Sequence, residues 1–189
     1  MNFNADIENC LQVLRRGGLI LYPTDTIWGI GCDATSAEAV EKIFTLKKRS
    51  EKKGFIILIA DKKDLLKYSS QPDPRIMEYL ATVQKPTTVI YEGAIGLADN
   101  LIGDDGSVAI RLVETPFCKQ LIRRFRKPIV STSANISGET PPRFFDEIAR
   151  PITEGVDYVV QFGRDDKTPK QPSALVKFNK DGTVRVIRS

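Results

Sequence analysis

The sequence predicts an α/β protein in which a mixed β-sheet is flanked by helices, and three observations predict it. Short apolar runs bounded by turn residues alternate with stretches whose apolar residues recur at helical spacing. Some connections between the runs are long enough for crossovers, whereas the C-terminal pair is joined by a short glycine-containing turn, so parallel and antiparallel pairing should both occur. The chain has 189 residues, 41% hydrophobic and 28% charged, which is enough to bury one core without disulfides or metals and lies in the globular rather than the disordered range. One domain over 1–189 is expected.

Residues 6–16 carry Ile7, Leu11 and Leu14 on one helical face, and Gly17-Gly18 ends that helix. Leu19–Tyr22 reads as a buried strand closed by Pro23. Thr35-Ser-Ala-Glu38 has the form of a capping box, after which Val40, Ile43, Phe44 and Leu46 continue an apolar face. Phe55–Ala60 reads as a strand, and Asp61 and Asp73-Pro74 read as helix starts. Strands follow at Thr87–Tyr91 and Val108–Leu112, then an amphipathic helix from Thr115-Pro116 carrying Phe117, Leu121, Ile122 and Phe125. Pro128–Val130 is a short strand, a helix is expected near Arg143–Ala149, and Tyr158–Phe162 is a further strand. Gly163–Pro172 is polar and reads as a mobile loop, and Ala174–Phe178 and Val184–Ile187 form a hairpin around Gly182.

Composition removes several kinds of chemistry. There is no histidine, so a Ser-His-Asp triad, a Cys-His pair, an HExxH metal site and a histidine base are all excluded. Catalysis must use carboxylates, Lys, Arg, hydroxyls, backbone dipoles or a bound metal. Cys10, Cys32 and Cys118 are widely spaced and odd in number, which argues for small core residues over a disulfide framework or zinc ribbon. No apolar run is long enough to cross a bilayer, and the N-terminus lacks a basic region followed by an apolar stretch. A cytoplasmic protein with no membrane partner is expected. Walker A and GxGxxG motifs are also absent.

Net charge is +4, but the basic residues are clustered: Lys47, Lys48, Arg49, Lys52 and Lys53 in one group, and Arg123, Arg124, Arg126 and Lys127 in another. Each could bind phosphate or RNA, or be a solvated helix end. Three loops that follow apolar strands hold the candidate chemistry. Tyr22–Gly31 carries Thr24, Asp25 and Thr26, either a hydroxyl-lined pocket wall or a turn with an Asx bond. In Lys47–Gly54, Lys47 and Arg49 cannot share a helical face. They converge only if the helix ends between them and the chain turns. Ser131–Gly138 is dense in hydroxyls after a buried strand, and its small side chains leave backbone N–H groups open to an anion.

Taken together, these loops resemble the YrdC-like family of threonylcarbamoyl-AMP synthases, in its short single-domain branch. The likeness runs through GGLILYPTDTIWGIGCDA, KKRSEKKGFI, SVAIRL, KPIVSTSANISGE and QPSALV, followed by a closing arginine. Lys47, Arg49, Ser133 and Asn135 match the family's Lys-x-Arg and Ser-x-Asn tetrad and are the implied catalytic set. The resemblance implies a twisted mixed, largely antiparallel sheet flanked by helices around an open basic cavity. It implies that L-threonine, bicarbonate and ATP, with Mg²⁺ carried by the ATP and no dedicated protein metal site, give threonylcarbamoyl-AMP and pyrophosphate. Partner proteins then transfer the threonylcarbamoyl group to the tRNA adenosine beside the anticodon.

By position, Lys47, Arg49, Lys53, Thr88, Ser133, Asn135 and Arg188 would hold ATP, and Thr24, Thr26, Arg111, Ser131 and Ser173 would hold threonine. Thr132 lies in a stretch lining the same cavity. The chain departs from the family at Val83–Thr88, where only Pro86 and Thr88 of the pattern Trp-Pro-Gly-Pro-x-Thr survive, at Ala174 in place of threonine and at Trp28 in place of tyrosine. Two other readings compete. One is an RNA-binding module of translation or ribosome maturation. The other is a paralogue without synthase activity, which the intact Ser133-Ala-Asn135 opposes.

Overall fold

A computed structural model describes residues 3–49, 55–70, 72–179 and 181–189, so the expected phosphate ligand Lys53 lies outside the described residues. In chain order the elements begin with α1 (Asn4–Arg15), β1 (Ile20–Tyr22), β2 (Gly29–Gly31), α2 (Ala37–Leu46) and β3 (Ile56–Ile59). Next come α3 (Pro74–Thr82), β4 (Thr87–Tyr91), β5 (Val108–Leu112), α4 (Pro116–Phe125) and β6 (Ile129–Ser133). The chain closes with α5 (Arg150–Glu154), β7 (Tyr158–Val159), β8 (Ala174–Phe178) and β9 (Val184–Arg188). The strands form one twisted sheet in the order β7-β1-β2-β6-β3-β5-β4-β8-β9. Antiparallel pairs outnumber parallel ones, which are β1/β7, β3/β5 and β4/β8. The expected mixed, largely antiparallel sheet is therefore present.

The core is the apolar face of this sheet against the helices. Ile7, Leu11 and Leu14 of α1, Val40 and Ile43 of α2, and Phe117, Leu121 and Phe125 of α4 are all buried, as the helical spacing requires. The three cysteines are buried and free. Burial raises all three thiols well above the ordinary range, Cys118 to about 12, so they belong to the core and not to reactive chemistry.

The local reading departs from the structure in several places. Gly29–Gly31, read as loop, is a central strand pairing with β1 and β6. A Cβ at Gly31 would lie 2.7 Å from Tyr22 Cε1 and 2.8 Å from the Val130 carbonyl, and one at Gly29 would lie 3.0 Å from Ser131 Oγ. Glycine is present because neighbouring chains approach too closely for a side chain, which erases the usual strand signal. With β2 available as a partner, β6 continues through Ser131, Thr132 and Ser133 instead of stopping at Val130.

The N-cap of α2 is Ser36, which accepts from the Ala39 N–H at 3.2 Å, while Thr35 donates to Asp33 at 2.7 Å; the capping box at Thr35 is thus displaced by one residue. A helix does start after Asp61, but it is a 3-10 helix, Lys62–Lys67, and the Asp61 carboxylate holds Arg123 at 2.6 Å instead of capping the helix. The helix expected near Arg143–Ala149 is a 3-10 turn, Phe145–Glu147, with α5 beginning only at Arg150. The strand expected over Tyr158–Phe162 stops at Val159.

Candidate active site

The helix α2 ends where Lys47 and Arg49 require it to. Lys47 is the C-cap, Lys48 takes the left-handed conformation at φ 51°, and the Arg49 N–H returns to the Phe44 carbonyl at 2.9 Å. This reversal places Lys47 and Arg49 on one cavity, which no continuous helix could do. Lys47 is 1% exposed, and its ammonium donates to the carbonyls of Ser133 and Asn135, each at 2.5 Å. The Ser137 N–H in turn donates to the Lys47 carbonyl at 2.9 Å, so the lysine ties the end of α2 to the loop after β6. Burial, and then the nearby Arg49, pulls the Lys47 ammonium down to about 8, with Glu139 opposing.

The loop is closed from within by Asn135. Its amide donates to the carbonyls of Ile136 and Glu139, both at 2.8 Å. The Asn135 Oδ1 and Ser137 Oγ atoms remain buried without a hydrogen-bond partner among the described residues. Arg49 lies with its guanidinium carbon 4.9 Å from the centroid of Phe55. Lys47, Lys48, Arg49, Ser133, Asn135, Ser137 and Gly138 line a cavity of about 460 Å³. Three cations with adjoining hydroxyl and amide groups suit a phosphate chain, because they combine charge with directed donors.

A second cavity of about 300 Å³ shares Arg49 and Ser133 with the first, so the two adjoin. It adds Thr26, Arg111, Ser131, Thr132, Ser173 and Arg188. Arg111 stands on β5 between Leu58 of β3 and Thr88 of β4, which fixes its origin near the middle of the sheet. Its Nη2 is 2.9 Å from Asp25 Oδ1, and the two side chains are 3% and 8% exposed. The contact is ionic only: Arg111 Nε and Nη2 and Asp25 Oδ1 make no hydrogen bond of acceptable geometry. Arg111 Nε and Nη2 are themselves shut off from solvent, but the residue lines the cavity, where a guanidinium suits a carboxylate or phosphate. Arg188 donates through Nε and Nη2 to the Ser173 carbonyl at 3.1 and 3.0 Å. Burial, and then Arg111, lowers its guanidinium from the usual range.

The expected site residues do not all reach a cavity in the same way. Thr24 donates its hydroxyl proton to the Ile27 carbonyl at 2.8 Å and accepts from the Thr26 N–H at 3.0 Å. With that proton committed, the 2.9 Å contact between the two hydroxyls has Thr26 as donor, leaving the Thr26 lone pairs as acceptors. Thr26 thus faces the second cavity, and Thr24 supports it. Thr88, expected to contact ATP, is fully buried and lies outside both cavities; its hydroxyl bonds that of Ser173 at 2.8 Å. Its role is to hold Ser173. The sequence leaves Asp25 open between a pocket wall and an Asx turn; its pairing with Arg111, 86 positions away, is marked by no local pattern. Beyond Thr26, Ile27 and Trp28 lies a third, mostly apolar cavity of about 860 Å³, walled by Phe3, Phe117 and Phe162.

Comparison with known proteins gives consistent matches. The family model Sua5/yciO/yrdC, described as telomere recombination, matches residues 12–189. A threonylcarbamoyl-AMP synthase of Coxiella burnetii is 34% identical over 143 residues, covering 75% of this chain and 77% of that protein. The solution structure of the MTH1692 protein from Methanobacterium thermoautotrophicum is 31% identical, with a TM-score of 0.69 and coverage of 96% of this chain and 85% of that one. The crystal structure of P. abyssi Sua5 complexed with L-threonine superposes with a TM-score of 0.82 at 24% identity; it covers 97% of this chain and 54% of the longer Sua5 chain.

Proposed function

The chain belongs to the Sua5/YciO/YrdC family, and from that premise we propose that it is an L-threonylcarbamoyladenylate synthase, a nucleotidyltransferase acting in tRNA modification. It joins L-threonine, bicarbonate and ATP into threonylcarbamoyl-AMP and releases pyrophosphate. The observation that carries this reading is the pair of adjoining cavities that share Arg49 and Ser133. One has the chemistry for a phosphate chain and the other for a small carboxylate, and the shared residues stand where the two reactants must meet.

Lys47 and Arg49 neutralise phosphate oxygens, and Ser133 and Asn135 present polar groups beside them. Mg²⁺ would come with the triphosphate and help neutralise it; Lys47, Arg49, Ser133 and Asn135 are cations and neutral oxygens and would offer it no carboxylate. Arg111, which lines the second cavity, takes the threonine carboxylate. Thr26 offers lone pairs to the ammonium or hydroxyl, while Ser131, Ser173 and Arg188 complete the wall.

The deprotonated threonine amine attacks CO₂ and releases a proton, or attacks bicarbonate and releases water, to give a carbamate; a carbamate oxygen then attacks the α-phosphorus, breaking its bond to the bridging oxygen as pyrophosphate leaves. No enzyme nucleophile is required, which fits a chain without histidine. The protein's part is positioning and charge neutralisation. Among the described residues no helix is long and apolar enough to cross a membrane; a cytoplasmic setting is part of the proposal. The threonylcarbamoyl group passes from there to tRNA through separate transfer proteins.

The test is pyrophosphate release by the purified chain. It should require ATP, threonine and bicarbonate together. Release that is indifferent to threonine or to bicarbonate, or no release at all, would remove the synthase assignment.

A further inference from the structure

The second basic cluster of the sequence lines neither cavity of the candidate site. Its place in the fold is the opposite end of the central strands. Ile56 at the start of β3 and Ser131–Ser133 at the end of β6 line the candidate site, whereas Ile59 at the end of β3 and Pro128 just before β6 line a different cleft of about 530 Å³. At the usual rise per residue, β3 alone separates the two by roughly 10 Å.

Five basic side chains line this cleft: Lys63 and Lys67 from the 3-10 helix, Arg123 from the last turn of α4, and Arg126 and Lys127 from the turn after it. Asp61 and Asp64 are its two carboxylates. Asp61 is held by Arg123 at 2.6 Å and Asp64 by Lys67 at 2.8 Å, while Lys127 reaches Asp33 at 2.6 Å. Lys63 and Arg126 make no ion pair among the described residues. The cleft therefore keeps a net positive charge with two cations uncommitted. Arg126 also holds the left-handed C-cap conformation at φ 63°, where glycine is the least strained residue. Compensation of the α4 dipole accounts for a cation in the last turn, but a side chain at this strained position is not needed for it.

We propose that this cleft is a second anion site, taking phosphate groups independently of the candidate active site. Its ligand is either the phosphodiester backbone of an RNA or a free polyphosphate; both present the same oxygens to Lys63 and Arg126. The synthase reading is not required for this inference.

Arg126→Gly removes a cation and relieves the backbone, so it should fold at least as stably as the parent; Lys63→Ser removes the other cation from an exposed helix. The double variant is to be compared with the parent for binding of a fluorescein-labelled RNA duplex and, separately, of tripolyphosphate. Both are done in an Arg49→Ala background that weakens the first anion cavity, with thermal melting as the check on folding. The expected result is at least fivefold weaker binding of one of the two ligands and, for RNA, a salt dependence shallower by about two contacts. Loss for RNA alone identifies the backbone as the source, and loss for tripolyphosphate alone identifies the free anion. Pyrophosphate release by Lys63→Ser/Arg126→Gly with Arg49 intact should stay within twofold of the parent. Unchanged affinity for both ligands in a folded double variant would overturn the proposal. So would binding of both ligands that is already abolished by Arg49→Ala alone.

Discussion

The two halves of the candidate site reach the same end by different means. In the first cavity the decisive cation is fixed by backbone: Lys47 lies against two carbonyls, and a left-handed Lys48 turns Arg49 in beside it. In the second it is fixed by another side chain: Arg111 rises from the sheet and rests against Asp25 without satisfying its donors. The first half is complete without ligand in its own hydrogen bonding, apart from Asn135 Oδ1 and Ser137 Oγ. The second leaves a buried guanidinium whose contact with Asp25 satisfies neither Nε nor Nη2, and a substrate carboxylate would meet Arg111 only where it lines the cavity.

Breaking the first half should have the largest effect. Lys47→Met removes a charge from the phosphate cavity and leaves the carbonyls of Ser133 and Asn135 without their donor, so both activity and fold should suffer. We expect adenylate formation to fall at least a hundredfold and stability to drop by about 2–4 kcal/mol. Arg49→Ala should lose activity to a similar degree at a smaller cost in stability, since its side chain stacks on Phe55 and lines the cavity whereas Lys47 is the donor to two carbonyls. Equal destabilisation by the two changes, measured by urea titration, would erase the distinction.

Lys47 also sets a pH signature. Its folded value, about 8, lies below the ordinary 10.5, so the unfolded chain binds the extra proton between them. Stability should therefore rise from pH 8 toward 10.5, by up to about 3 kcal/mol, while affinity for ATP falls as the ammonium loses its charge. Lys47→Arg should hold ATP affinity flat across that range.

Some of this was legible in the sequence and some was not, for identifiable reasons. Amphipathic spacing located α1, α2 and α4 because burial acts residue by residue along a helix. The convergence of Lys47 and Arg49 was legible only as a condition, since a lysine in the left-handed region carries no sequence mark, whereas glycine would have. Gly29–Gly31 was illegible as a strand because its residues answer to Tyr22 and Ser131 across the sheet rather than to strand propensity. Phe144 and Phe145 read as helix, but they sit in aromatic and cationic contacts with Arg143, Arg164 and Trp28 that a helix there would not serve. The Asp25–Arg111 pair is purely tertiary and had no local trace.

The second half should break more selectively. Arg111→Ala should raise the threonine requirement at least tenfold while changing ATP dependence little. It also leaves Asp25 as a buried charge without its partner, and Asp25→Asn does the reverse. Each single change should cost about 3 kcal/mol, and the double variant should cost clearly less than the two together. Strict additivity in a double-mutant cycle would mean that the 2.9 Å contact carries no coupling. An unchanged threonine dependence in Arg111→Ala would remove it from substrate binding.

The smallest effect is expected at Thr88, and it separates support from contact. The hydroxyl lies under Ser173 at 2.8 Å with no exposure to either cavity, on a strand where valine packs equally well. Thr88→Val should cost about 1 kcal/mol for the lost hydrogen bond and lower kcat/KM less than threefold, by letting the Ser173 hydroxyl turn. Ser173→Ala should act mainly through threonine, since Ser173 lines only the second cavity. The two effects should not add, because both act through the same hydroxyl. A thirtyfold loss in Thr88→Val, expressed in the ATP dependence, would instead put Thr88 in contact with the nucleotide and would require the sheet to open at β4 when ATP binds.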